Sequence, residues 1–256
     1  MQLFYSKKIN NNIAILEEEE ARHATQVLRR KVGDSLQLTD GLGNFYEGTV
    51  MDIQKKVCLV SIDRTITEYH KRPFTLHIAI APTKNIDRYE WFLEKATEIG
   101  IDEITPLICK NSERTVVKPD RLNTILLSAM KQSLKAYLPK LNEAIDYQKF
   151  IKKDFSEYNQ KYIAHCHDIS DLKLQIPTIQ NEIRNPKSEI RTPLSILYQK
   201  GGNCVILIGP EGDFSLDELG LAFEKAYKGI SLGNSRLRTE TAGVVACHTV
   251  NLINES

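Results

Sequence analysis

Between residues 35 and 62 (SLQLTDGLGNFYEGTVMDIQKKVCLVSI) apolar and polar positions alternate in short runs. That period of two is the pattern of half-buried strands. Asp40-Gly41 and Gly43-Asn44 within it are hairpin-type turns. Upstream, residues 21–30 (ARHATQVLRR) predict a short helix. Residues 1–72 therefore read as a small β-rich unit, and Pro73 marks its end.

From Phe74 the pattern changes. Residues 74–81 (FTLHIAIA) are a continuous apolar run suited to a buried strand. Residues 87–100 carry apolar positions at helical spacing and stop at Gly100. Further strands are predicted at 104–108, 162–167, 204–208 and 229–232, and further helices at 121–137, 216–227 and 241–253. Strands alternating with helices predict an α/β domain with a largely parallel sheet over 73–256. Residues 168–200 are polar and weakly patterned, and read as a long surface excursion with some helix.

Composition narrows the function. Thirty-four Lys and Arg stand against 33 Asp and Glu in 256 residues, so any nucleic-acid surface is local rather than global. Residues 110–140 hold seven basic side chains against two acids. Arg22, Arg29, Arg30 and Lys31 form a second cluster. Such clusters on a neutral chain fit phosphate contacts, and equally fit a solvated face. The five cysteines are scattered and form no C-x-x-C pair, which argues against a disulfide framework and a zinc ribbon. No apolar run approaches the ~20 residues that span a bilayer, and the first residues lack the apolar core of a signal peptide. A cytoplasmic protein without membrane or metal is expected.

Two segments carry candidate chemistry. In 204–218 (CVILIGPEGDFSLDE) an apolar strand runs into Gly209 and Gly212, and Ser215 precedes Glu218 at capping-box spacing. In 229–243 (GISLGNSRLRTETAG) a short strand ends at Gly233 and leads through Arg236 and Arg238 into a helix rich in small residues. Strand, glycine turn, helix is the layout of a ligand loop at the carboxyl end of a parallel sheet. The two loops are suited to form two walls of one pocket. P-loop, dinucleotide, zinc-protease and hydrolase-elbow motifs are missing. His165-Cys166-His167 lacks a full ligand set and reads as structural.

Together these segments resemble the RsmE-type family of small-subunit ribosomal RNA methyltransferases, of the SPOUT class. The resemblance rests on HATQVLRRKVGD (23–34), DGLGNFYEG (40–48), EKATEIGIDEITPL (94–107), SERT (112–115), AMKQSLKAYLP (129–139), IGPEGDFS (208–215) and SLGNSRLRTETA (231–242). Asp213 stands where the family's GPEGG has its last glycine, Ser235-Arg236 replace Arg-Ile, and Lys135 replaces an arginine.

The resemblance implies a PUA-like β-barrel over 1–72 that binds RNA, and a SPOUT-type knotted α/β methyltransferase domain over 73–256. It implies S-adenosylmethionine held by Leu207, Gly209, Glu211, Gly212, Leu232, Gly233, Asn234, Ser235 and Leu237. It implies methylation of uridine N3 in 16S ribosomal RNA of the small subunit, by a homodimer. RNA contacts are expected from Arg22, Arg29, Arg30, Arg114, Lys131 and Lys135. Arg238 is expected to stabilise charge on the uracil carbonyls. Glu240 is a candidate base, or else a first-turn carboxylate favourable to the helix dipole. The rivals are another SPOUT enzyme acting on a tRNA base or a ribose 2′-hydroxyl, and a non-catalytic RNA-binding assembly factor. Binding of S-adenosylmethionine separates enzyme from assembly factor.

Overall fold

The computed structural model describes residues 2–167 and 191–255. They divide into two compact units, Met1–Arg72 with Leu126–Leu138, and Pro73–Ile125 with Pro139–Ser256.

The first unit is a curled six-stranded sheet in the order β1-β4-β5-β6-β3-β2. The strands are β1 (Leu3–Tyr5), β2 (Lys8–Asn10), β3 (Ile13–Glu17), β4 (Ser35–Thr39), β5 (Phe45–Ile53) and β6 (Val57–Ile66). The alternation seen in the sequence puts Leu36, Leu38, Tyr46, Val50, Cys58 and Val60 into one core with Phe4 and Leu16. The expected helix at 21–30 is instead a short α1 (Glu18–Arg22) running into a π-helical turn, His23–Val27. Arg29 then takes a left-handed φ of 55°, which ends the coil. The 126–138 segment belongs to this unit: Ala136 packs with Leu3 and Phe45. Gly43, at φ 100°, lies so close to the Tyr137 ring that a Cβ would sit 2.3 Å from Cζ.

The second unit is built on an eight-stranded sheet, ordered β10-β8-β7-β13-β11-β14-β12 with β9 beside β8. Its strands are β7 (Leu76–Ile80), β8 (Glu103–Ile108), β9 (Lys140–Leu141), β10 (Ile145–Asp146), β11 (Gln160–Ala164), β12 (Thr192–Pro193), β13 (Cys204–Ile208) and β14 (Lys228–Ser231). Every pairing among them is parallel. β7 and β13 are buried at every position, which is why they read as unbroken apolar runs.

The helices that follow the first are α2 (Ile86–Ile99), α3 (Pro119–Gln132), α4 (Tyr147–Phe150), α5 (Leu194–Leu197), α6 (Leu216–Glu224) and α7 (Thr239–Glu255). The sequence pattern carried α3 on to residue 137, but Leu134 turns left-handed at φ 57° and ends it. Asn85 caps α2 by accepting from Asp87 N, and Ser215 and Glu218 form a reciprocal capping box on α6. Alternate strand residues Ala79, Ile163, Val205 and Leu207 share a core with Tyr147, Phe150 and Leu219. α7 returns from β14 to pack on α2, β7 and β13. That return is consistent with a C-terminal trefoil knot. Of the expected excursion at 168–200, residues 168–190 lie outside the described residues, and the rest holds β12 and α5.

Candidate active site

The sheet register positions the site. Ala164, the last residue of β11, is level with Ile208 of β13 on one side and Ile230 of β14 on the other. Ile208 is in turn level with Ile80 of β7. Four strands thus stop at one edge, and four loops emerge together. Between them lies a cavity of about 1150 Å³, at the edge where open parallel sheets bind ligands.

The two glycine loops form two of its walls, as their spacing predicts. Gly209 and Glu211 line it from the loop after β13. Leu232, Gly233, Asn234, Ser235, Arg236, Leu237 and Arg238 line it from the loop after β14. Gly233 has φ 121°, a conformation suited to glycine, and open space where a Cβ would stand. Main-chain groups are therefore approachable along this wall. Thr239 Oγ1 donates to Gly209 O at 3.1 Å and ties the two loops together.

Several predicted residues have other surroundings. Leu207 is fully buried in the core beneath α6, away from the cavity wall. Gly212 lies outside the wall and against Asn111, whose Nδ2 donates to its carbonyl at 3.1 Å. Glu211 Oε1 accepts from Lys84 N at 2.9 Å, so its carboxylate fastens the loop after β7 to the first glycine loop. Arg114 braces that same loop, donating to the carbonyls of Thr83 and Lys84. Glu240 is buried on the first turn of α7 and outside the wall.

The basic run is largely paired. Lys110 faces Asp217, Arg121 faces Glu90, and Lys140 faces Glu103. In the first unit Lys131 pairs with Glu20, and Lys135 is half-buried. Arg22 and Arg29 are exposed, and Arg30 is half-buried with its Nε covered and unpartnered.

Three contributors escaped the sequence reading: Arg88 from α2, Arg191, and residues 164–167. The 165–167 triplet was expected on a strand. The strand ends at Ala164, where the neighbouring ladders end too, and His165, Cys166 and His167 become a further wall. Asp213 holds this wall: Oδ2 accepts from Cys166 N at 2.7 Å and Oδ1 from Phe214 N at 2.8 Å. Asp213 sits at φ 60°, which accounts for glycine at the equivalent family position and for Asp as its substitute. His167 Nε2 donates to Phe214 O at 2.6 Å, which fixes its tautomer. Burial pushes His165 down to about 3, so its ring is neutral, and Arg191 and His167 add to the shift. Burial and Asp213 raise the Cys166 thiol. No group of three or more His, Cys, Asp or Glu suited to a metal occurs among the described residues. No helix among them is long and apolar enough to cross a membrane.

A parallel sheet whose last helix returns across it, with glycine loops around one cavity, in a chain that also holds a separate curled β unit, defines a SPOUT-class α/β protein. A family model for an RNA methyltransferase domain matches residues 70–251, and one for an RNA methyltransferase PUA domain matches 16–63. The chain is 29% identical over 248 residues to the ribosomal RNA small subunit methyltransferase E of Rickettsia conorii, covering 95% of this chain and 91% of that one. A crystal structure of a probable rRNA-methyltransferase from Porphyromonas gingivalis superposes with a TM-score of 0.86 at 38% identity, over 100% of this chain and 99% of that one. A crystal structure of ribosomal RNA small subunit methyltransferase E from Neisseria gonorrhoeae, bound to S-adenosyl methionine, gives 0.75 at 26% identity, over 96% and 95%. The chain belongs to this RNA methyltransferase family, in its RsmE branch.

Proposed function

We propose that the chain transfers a methyl group from S-adenosylmethionine to N3 of a uridine in the 16S RNA of the small ribosomal subunit. The observation that carries this reading is the cavity at the level ends of β7, β11, β13 and β14, walled by both glycine loops. Its walls fit the cofactor. Gly233 leaves main-chain groups open to an adenine edge, and Glu211 and Asp213 bring negative charge to a wall that would face a sulfonium. When bound, the cofactor supplies an electrophilic methyl. Gly209 and the 232–237 backbone hold it. Arg238 meets the negative charge that develops on the uracil carbonyls when N3 loses its proton. The target base must leave its stack to present N3.

The first unit, with residues 1–72 at its centre, grips RNA through Arg22, Arg29 and Arg30. A second copy completes a homodimer, for which Trp91 on α2 and Leu252 on α7 offer exposed apolar contacts. The protein works in the cytoplasm, where its ribosomal substrate is.

The test is transfer of labelled methyl from S-adenosylmethionine to small subunits lacking the modification, with product nucleosides identified by mass spectrometry. N3-methyluridine from the wild type and its loss in Arg238→Ala are expected. A different methylated nucleoside, or no transfer, overturns the reading.

A further inference from the structure

Arg88 lies in the first turn of α2 and lines the cavity together with Arg238. Its side chain is 43% exposed, whereas that of Glu240 is only 8% exposed. Arg88 Nε stands 3.9 Å from Glu240 Oε1. The acids beside Arg88 on α2 are otherwise engaged: Glu90 accepts from Arg121 at 2.8 Å, and Asp87 faces Arg121 at 3.9 Å. Glu240 is therefore the carboxylate left to Arg88. A covered carboxylate outside the wall is poorly placed to take a proton at hydrogen-bond distance, but well placed to orient a guanidinium. Arginine has five N–H donors in a rigid fork, so a contact at Nε leaves the outer donors for a ligand.

We infer that Arg88 is a second substrate-contacting cation of the transfer site, and that Glu240 is the positioning residue that aims it. The inference rests on the methyltransferase reading above. Its chemical reason is the shape of the uracil anion. Loss of the N3 proton spreads charge over N3 and the two flanking carbonyl oxygens, O2 and O4. Arg238 comes from the loop after β14 and Arg88 from the helix after β7, so the two cations come from different walls. One serves each carbonyl, and both make the N3 proton easier to lose. The proton passes to water. The N3 lone pair forms the bond to the sulfonium methyl, and the electron pair of the broken S–C bond stays on sulfur as the thioether. The arrangement also selects uracil over cytosine, whose 4-amino group would confront a donor with a donor.

The experiment compares wild type, Arg88→Ala, Arg88→Lys, Glu240→Gln and the Arg88→Ala/Glu240→Gln double variant on unmodified small subunits. It reads kcat and KM against pH, with cofactor Kd measured separately and folding checked by circular dichroism. Arg88→Ala is expected to lower kcat about 10²–10³-fold, the loss seen when one oxyanion donor is removed, with cofactor Kd unchanged. Glu240→Gln is expected to fall in the same direction while keeping the rise of rate with pH. The double variant is expected to be no worse than Arg88→Ala, because both changes break one path. Arg88→Lys keeps the charge and is expected to recover part of the loss. Loss of the pH-dependent rise in Glu240→Gln, or additive losses in the double variant, would make Glu240 the base and overturn the inference. An Arg88→Ala enzyme with wild-type kcat overturns it as well. Absence of transfer by the wild type overturns the methyltransferase reading itself.

Discussion

Gly243 stands in the interior of α7, where helix propensity favours alanine by about 1 kcal/mol. Packing argues the other way, and by more. A Cβ at Gly243 would lie 2.6 Å and 2.7 Å from Phe92 Cε2 and Cδ2, and 2.8 Å from Ile80 Cδ1. Ordinary carbon contacts are about 3.5–4.0 Å, so the added methyl must displace its neighbours by about 1 Å. Phe92 and Ile80 are fully buried, one on α2 and one on β7, and have no free volume to move into. Overpacking of this kind costs about 1–3 kcal/mol. Three atoms on two fixed side chains put Gly243→Ala at the upper end. After the propensity gain, a net loss of about 1–2 kcal/mol remains, or roughly 2–8 °C in Tm for a chain of this size. The damage extends to the site, because α7 begins with Ala242 N donating to Arg238 O at 2.8 Å. Thermal unfolding and calorimetric titration with S-adenosylmethionine check both effects. A variant as stable as the wild type would show that α7 and α2 pack with slack, and would refute the argument.

Two further outcomes follow from buried groups and caps. Burial, the largest cause, holds His77 neutral down to about 4 instead of 6.5. The unfolded chain therefore takes up a proton first, and stability is complete above about pH 6.5 and falls as pH drops towards 4. One such group gives a slope of at most roughly 1.4 kcal/mol per pH unit. His165, held down to about 3, acts in the same direction. Urea midpoints at pH 7.5 and pH 5 report the slope, and a flat or rising profile contradicts it. Ser215→Ala removes the half of the capping box in which Ser215 Oγ accepts from Glu218 N, and leaves Glu218 Oε2 accepting from the backbone N–H at 215. A loss of about 1 kcal/mol is expected from denaturant unfolding, and an unchanged midpoint would mean that the Glu218 carboxylate, which accepts from Lys110 N and the backbone N–H at 215, holds the turn without the hydroxyl.

What the sequence discloses about this molecule depends on whether the cause is local. The β7 and β13 runs are apolar because both faces of the sheet are covered, and that demand acts on consecutive residues. The glycine loops are legible for the same reason: Gly233 needs its backbone angle wherever the chain goes next. Gly243 is half legible. The small residues after Thr241 mark a tightly packed helix, but nothing nearby in the chain names Phe92 as what it packs against. Arg88 and the His165–His167 wall are different again. They join the cavity only because Ala164, Ile208, Ile230 and Ile80 fall level across four strands drawn from distant parts of the chain. Register of that kind is written in the pairing of strands, not in the period of any one. A usable signal did exist. A parallel sheet puts every strand's carboxyl end on one edge, so the loop after the 74–81 strand had to open beside the glycine loops. The capping signal at Asn85 then places the first turn of α2, and Arg88 with it, at that edge. The separation of Glu240 from the wall had no such signal. One helical turn decides whether a carboxylate faces the ligand or the guanidinium that serves it, and only the packing of α7 on α2 fixes that choice.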